Sequence, residues 1–127
     1  MPEAAVLTKV LIADDERVIA DTLVAILTHG GFEARAAYSC AQALDIAGAF
    51  RPDLLVCDVI MDEMNGIDAA VRIKAMLPDI RVFLLSGQTA TTELLEKQNA
   101  DGYGFEVLIK PVHPRDLISR LRECMAA

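Results

Sequence analysis

The chain has 127 residues, 54% of them hydrophobic, with a formal net charge of -7. That length suits one domain, expected over residues 1–127 with a core from about 9 to 125, and that hydrophobicity excludes intrinsic disorder. The acidic balance argues against direct nucleic-acid binding, which needs a basic face, and against a surface for anionic membranes.

Along the chain, apolar runs with strand character alternate with helical patterns. The first run is Lys9–Ala13, apolar almost throughout. A helix is predicted over Arg17–His29, with Val18, Ile19, Leu23, Ile26 and Leu27 on one broad face and Gly30-Gly31 as its stop. Phe32–Ala37 follows and alternates in polarity, which suits a sheet edge. The next helix is expected over Cys40–Phe50, with Leu44, Ala47 and Phe50 inward and Arg51-Pro52 ending it. The third strand is read over Asp53–Cys57. A helix over Ile67–Leu77 has Ile67, Ala70, Val71, Lys74 and Met76 mixed around it and stops at Pro78. The fourth strand is Arg81–Leu85. A weak helix is expected within Ala90–Asn99, where only Leu94 and Leu95 are strongly apolar. The fifth strand is Phe105–Ile109. The last helix starts at Pro114, where proline suits a first turn, with Asp116 near the positive end of the dipole. Leu117, Ile118, Leu121, Cys124 and Met125 form its apolar stripe.

Five strands alternating with five helices predict an α/β fold, a parallel sheet with helices on both faces. The three most apolar strands, the first, third and fourth, belong in its centre. Cys40, Cys57 and Cys124 are odd in number, widely spaced and set in apolar runs, so buried reduced thiols are expected. With His29 and His113 they make no zinc spacing. No apolar run approaches the ~20 residues of a membrane-spanning helix. The first eight residues lack the basic start and apolar stretch of a signal peptide. These features point to a cytoplasmic protein without membrane insertion.

Ligands of an open α/β sheet bind beyond the carboxyl ends of its strands. Four strand ends carry polar groups here: Asp14-Asp15, then Asp58, then Ser86-Gly87, then Lys110-Pro111. Each has a plain structural explanation on its own. Acids before a helix offset its dipole, Asp58 and Ser86-Gly87 suit turns, and a lysine before proline is usually solvated. Their joint placement on one rim is far more specific. Neighbouring parallel strands lie ~4.8 Å apart, so a strand order of 3-2-1-4-5 would hold the first and third strand ends ~10 Å apart. The flavodoxin-like order 2-1-3-4-5 makes them neighbours, sets Ser86 on the other side of Asp58, and lets Lys110 reach across. Cooperation between these residues therefore selects the second order.

Three carboxylates in one place stay ionised only if a cation compensates. An oxygen-only donor set suits a hard ion such as Mg²⁺, which keeps waters and shares phosphate oxygens. Phosphoryl transfer asks for an in-line nucleophile and positive charge around the equatorial oxygens. Asp58 can supply the first, and Mg²⁺, Lys110, the Ser86 hydroxyl and backbone N–H groups the second.

The runs Val10-Leu11-Ile12-Ala13-Asp14-Asp15-Glu16, Leu54-Leu55-Val56-Cys57-Asp58-Val59-Ile60-Met61, Met64-Asn65-Gly66, Leu84-Leu85-Ser86-Gly87 and Ile109-Lys110-Pro111 resemble the receiver domains of two-component signalling. The resemblance covers roughly Lys9 to Met125. It implies that Asp58 is the phosphoacceptor and that Asp14, Asp15, Asp58 and the backbone carbonyl of Ile60 hold Mg²⁺. It also implies that Ser86 and Lys110 contact phosphoryl oxygens and that the Lys110-Pro111 bond is cis. The donor would be a histidine kinase or phosphotransfer protein, and the output a downstream protein target or a homodimer. Such a domain assists its own phosphorylation and is not a turnover enzyme. Asp62 stands where family members often have proline, and Val107 stands where they usually have a switch aromatic. With Val107 unable to swing a ring, the signal is expected to leave through Gln88–Gly104, and Gln88 to orient a hydrolytic water.

Three other readings compete. A haloacid-dehalogenase-type phosphatase has a second Asp two residues past its nucleophile, where this chain has Ile60. A flavodoxin-like FMN site has a hydroxyl- and Gly-rich loop after the first strand, where this chain is acidic. A receiver-like interaction module working without phosphorylation is opposed by the intact acid cluster, Ser86 and Lys110. The pattern ends soon after the last helix, which fits a stand-alone regulator or part of a longer one.

Overall fold

The structure, a computed structural model, describes residues 7–61, 65–87, 102 and 104–125. Five parallel strands, β1 (Lys9–Ala13), β2 (Glu33–Ala37), β3 (Leu54–Asp58), β4 (Arg81–Ser86) and β5 (Glu106–Ile109), form one sheet in the order β2-β1-β3-β4-β5. Among the described residues there are four helices, α1 (Arg17–His29), α2 (Cys40–Phe50), α3 (Gly66–Met76) and α4 (Pro114–Met125). This is the order that cooperation between strand ends required. The helix expected within Ala90–Asn99 lies outside the described residues, as do Asp62 and Gln88.

Burial follows strand position. Each residue of β3 is buried, and β1 and β4 each have one partly or fully exposed residue at the start, so these three strands are interior. The alternating β2 is an edge, as its polarity pattern predicted. Successive side chains of a strand point to opposite faces. Leu11, Ala13, Leu55, Cys57, Val82 and Leu84 therefore pack with α2 and α3 on one side. Val10, Ile12, Leu54, Val56, Phe83 and Leu85 pack with α1 and α4 on the other. Burying a large aliphatic side chain stabilises a fold by roughly 1.5–3 kcal/mol. With both faces covered, the strands hold their ends in a fixed relation.

Several packing expectations are corrected. In α1 the buried stripe is Ala20, Leu23 and Leu27, while Val18 is 79% exposed. Val18 lies two residues, about 200° of helix rotation, before Ala20, so it points away from the sheet. In α2 the buried set is Cys40, Ala43, Ala47 and Phe50, with Leu44 only flanking it. In α3 the buried residues are Gly66, Ile67, Ala69, Ala70 and Ile73, and Met76 is exposed. Small residues face the sheet there because the helix lies close against it. Cys40 and Cys57 are buried free thiols, but Cys124, near the end of α4, is only partly buried.

Local chemistry sets the helix starts near the rim. Ser39 accepts from the Gln42 N–H and Asn65 from the Asp68 N–H, each satisfying one orphan donor of a first turn. Pro114 opens α4 as its sequence predicted. Among the described residues, no helix is long and apolar enough to cross a membrane.

Gly66 fastens α3 to the end of β3. Its N–H donates to the Val59 carbonyl at 2.7 Å. A Cβ at Gly66 would overlap the Asp58 carbonyl and lie 3.0 Å from Cys57 Sγ. Overpacking of this kind against backbone costs about 1–3 kcal/mol or more. Gly66→Ala is therefore expected to lower the stability of the fold by roughly 3 kcal/mol, read as a fall in urea midpoint at unchanged slope. A midpoint equal to that of the parent would mean that α3 does not rest on β3 in this way.

Candidate functional site

The strand register brings the polar rim together. Ala13 pairs with Cys57 and with Ala37, so Asp14 and Asp58 emerge from adjacent strand ends. Asp58 pairs with Leu85 on β4, which places Ser86 one step further along the neighbouring strand. Ser86 in turn pairs with Ile109, just before Lys110. Asp58 is itself the last residue of β3, one position further than the sequence suggested, so it is held by a sheet rather than a loop.

Asp14 and Asp58 are buried, and Asp15 is partly buried beside them. Carboxylate oxygens of all three lie within 4.8 Å of one another. Lys110 Nζ enters this cluster, donating to Asp58 Oδ2 at 2.9 Å and to Asp14 Oδ2 at 3.4 Å. The remaining oxygens are also engaged. Asp14 Oδ1 accepts from the Glu16 N–H, and Asp58 Oδ1 accepts from the Ile60 N–H at 3.3 Å. Asp14 is anchored by its own N–H, which donates to the Ala37 carbonyl. The Ser86 hydroxyl is buried and donates to the Gly87 carbonyl at 3.2 Å. The Lys110 N–H donates to the Ser86 carbonyl at 2.8 Å, tying the two residues together. The Lys110-Pro111 peptide is cis.

The electrostatics follow from this geometry. Burial is the largest influence on Asp58 and raises its pKa above the ordinary carboxylate value. The Lys110 hydrogen bond and charge pull it back, the Asp14 charge pushes it up, and the Ile60 N–H pulls it down. For Lys110, burial acts to lower the pKa, but the bonds and charges of Asp58 and Asp14 outweigh it and raise the net value. Lys110 is thus held protonated, the one cation that the described residues place against Asp14 and Asp58. The donor set of the cluster is oxygen alone. Asp14, Asp15 and Asp58 therefore fit a hard divalent ion.

Asp14, Asp15, Asp58, Ile60, Ser86 and Lys110, singled out in the sequence, all reach this rim, while Gln88 and Asp62 lie outside the described residues. Ile60 does so through its N–H, with its side chain 53% exposed. Two supporting residues were not foreseen in this role. Gly66 lets α3 abut Asp58, a close approach that the Asn65-Gly66 pair before a helical pattern could have signalled. Cys57 donates its thiol to the Asp58 and Gly66 carbonyls at 3.4 and 3.5 Å, and burial keeps that thiol protonated by pushing its pKa up. Nothing in the local sequence distinguishes this Cys57 from an ordinary core thiol. Val107 packs, half-buried, against the α2–α3 side of the sheet with Phe105.

Comparisons with known proteins agree with this arrangement. The family model described as response regulator receiver domain matches residues 10–122. The chain is 33% identical over 110 residues to the DNA-binding transcriptional regulator NtrC of Azospirillum brasilense, covering 87% of this chain and 22% of that protein. It is 26% identical over 114 residues to the response regulator MprA of Mycobacterium avium, covering 90% and 49% respectively. The chain thus spans about half or less of the length of these curated relatives. A CheY-like response regulator receiver domain protein from Methanospirillum hungatei superposes with a TM-score of 0.87 at 25% identity, covering 95% of each chain.

The charge imbalance has a thermodynamic consequence. Like charges about 5 Å apart repel by roughly 3 kcal/mol at an effective dielectric of about 20, and Lys110 offsets only part of this. In chelator, Asp15→Asn is expected to be more stable than the parent by about 1 kcal/mol, and added Mg²⁺ to stabilise it less. Melting curves with and without Mg²⁺ check both statements. A variant that melts no higher than the parent in chelator would show that the three carboxyl groups are not ionised together.

Proposed function

The chain belongs to the response regulator receiver domain family, and on that premise we propose that it takes a phosphoryl group from a histidine kinase or phosphotransfer protein onto Asp58. The observation that carries this reading is the convergence on Asp58. One of its oxygens is held by Lys110 and the other by the Ile60 N–H, with Ser86 on the adjacent strand end. The functional unit is taken as residues 9–125, close to the extent of the family match.

On this reading an Asp58 carboxylate oxygen attacks the donor's phosphorus in line. The new P–O bond forms as the bond to the donor's histidine nitrogen breaks, and the electron pair leaves with that nitrogen. Lys110 moves its ammonium from the carboxylate oxygen to a phosphoryl oxygen. The Ser86 hydroxyl turns from the Gly87 carbonyl to another phosphoryl oxygen. Both side chains already stand at strand ends beside Asp58, so only short side-chain movements bring them onto the charge that develops. Asp14, Asp15, Asp58 and the Ile60 carbonyl would hold Mg²⁺, which when bound supplies charge neutralisation for the phosphoryl oxygens. Asp14 is a second anchor for Lys110, which helps hold the ammonium beside the nucleophile.

The product is a mixed anhydride on the protein, so the chain works as a switch rather than a turnover enzyme. Its output is a changed interaction with a downstream protein or a second copy of itself. The reading takes it to act in the cytoplasm, where Cys40, Cys57 and Cys124 stay reduced.

Intact mass after treatment with Mg²⁺ and a small phosphoryl donor is expected to rise by one phosphoryl group in the parent and not in Asp58→Asn. Labelling that survives the substitution would overturn the assignment of the acceptor. Chelator is expected to slow the parent's labelling by at least about tenfold. Equal rates with and without Mg²⁺ would reject the metal's part in the reading.

A further inference from the structure

The chain leaves β3 at Asp58 and enters α3 at Gly66. Three contacts fix these two points relative to each other. The Val59 N–H donates to the Leu85 carbonyl at 3.0 Å, which carries the pairing of β3 with β4 one residue past Asp58. The Gly66 N–H donates to the Val59 carbonyl at 2.7 Å. The Cys57 thiol reaches both points, 3.4 Å from the Asp58 carbonyl oxygen and 3.5 Å from that of Gly66. Cys57 itself is completely buried.

Together these contacts lead to the Asp58 carboxylate. A peptide unit is planar and trans, so its C=O and N–H point in opposite directions. The Val59 carbonyl and the Ile60 N–H belong to one such unit. Gly66 holds the carbonyl on one side, and on the other the Ile60 N–H donates to Asp58 Oδ1 at 3.3 Å. The position of Gly66 therefore sets the direction of a bond to the carboxylate. Gly66 is in turn pressed against Asp58, since a Cβ there would stand 1.8 Å from the Asp58 carbonyl oxygen and 3.0 Å from Cys57 Sγ. At this close approach one thiol proton serves two carbonyl oxygens. Removing it takes a donor from both, at a place where Cys57 is closed to water.

We infer that Cys57 is a positioning residue for the phosphoacceptor: through Gly66 and the Val59–Ile60 peptide its thiol keeps the Asp58 carboxylate aligned for attack. The inference rests on Asp58 accepting the phosphoryl group, and it adds a residue that never touches the reacting atoms. Lys110 restrains one carboxylate oxygen and the Ile60 N–H the other, so the two bonds together fix the plane of the group. Loosening one of them lets the carboxylate turn away from the in-line geometry, and small errors in the direction of a nucleophile cost rate.

The test compares the parent with Cys57→Ala, Cys57→Val and Cys57→Ser. The first two lack the donor, one leaving a void and one filling it, while serine keeps a donor at about alanine's size. Val56→Ala is the control, because Val56 is a buried neighbour on β3 that packs on the opposite face of the sheet. NMR without phosphoryl donor or metal follows exchange of the Gly66 amide and the shift of the Ile60 amide proton. Intact mass follows Asp58 labelling by acetyl phosphate at saturating Mg²⁺, and urea unfolding reports stability. Cys57→Ala and Cys57→Val are expected to speed Gly66 exchange, to move the Ile60 amide proton upfield as its bond lengthens, and to slow labelling. The expected slowing is roughly three- to tenfold, the scale of one hydrogen bond. Cys57→Ser is expected to lie nearer the parent in all three. Val56→Ala is expected to lower the urea midpoint and leave the labelling rate unchanged. If Cys57→Ala does not fold, Cys57→Val carries the donor-free comparison. The positioning role would be overturned, with Asp58 left as acceptor, by parent-like labelling in both donor-free variants, by a loss that valine repairs and serine does not, or by an equal loss in Val56→Ala. Absence of Asp58 labelling in the parent would instead overturn the reading on which the inference rests.

Discussion

The Lys110 ammonium sits between two buried carboxylates, 2.9 Å from Asp58 and 3.4 Å from Asp14. Removing such charges from water is costly, and their mutual attraction repays it only with good geometry and further hydrogen bonds. Both conditions are met here, since the Glu16 and Ile60 N–H groups take the other oxygens. Among the described residues the arrangement still leaves more negative than positive charge. Under the proposed function, that surplus is what suits the rim to a divalent ion and a phosphoryl group rather than a closed ion pair. A site fully satisfied by its own side chains would have no reason to bind either.

Holding three carboxyl groups within 4.8 Å of one another takes a rigid frame. The frame is the sheet, clamped from both faces by packed side chains and tied edge to edge by its hydrogen bonds. Asp58 ends a strand that is buried throughout, so its position is set by backbone pairing with β1 and β4. Gly66 completes the frame by bringing α3 into contact with the Asp58 backbone. The repulsion stored at the rim is thus borne by the core. An apolar cavity lies between α1 and α4, with Lys110 in its lining.

Much of this was legible in the residues themselves. The alternation of apolar runs and helical patterns marked five strands within one residue of their observed bounds, because strand and helix periods are local properties of the chain. The polar residues ending four of those runs marked the rim, since strand ends are where side chains leave the packed layer. The strand order followed from asking which arrangement lets Asp15, Asp58, Ser86 and Lys110 cooperate. Helix faces were read less well. Val18 and Met76 are apolar yet exposed, and the buried side of α3 is largely small residues. Periodicity locates an apolar stripe only when the stripe is rich in large side chains, and close helix–sheet packing selects small ones instead.

The sequence by itself determined the element types, the residues at the strand ends and the excess of acid among them, because each depends on residue identity and near neighbours. Tertiary structure alone decided the rest. Asp14 and Lys110 are 96 positions apart, and their 3.4 Å contact exists only because β5 closes the sheet beside β4. The protonated Cys57 thiol at the back of Asp58, the backbone approach of Gly66 and the cavity between α1 and α4 likewise have no local signature. They arise from distances between segments far apart in the chain, and such distances are fixed by the packing of whole layers rather than by any single run of residues.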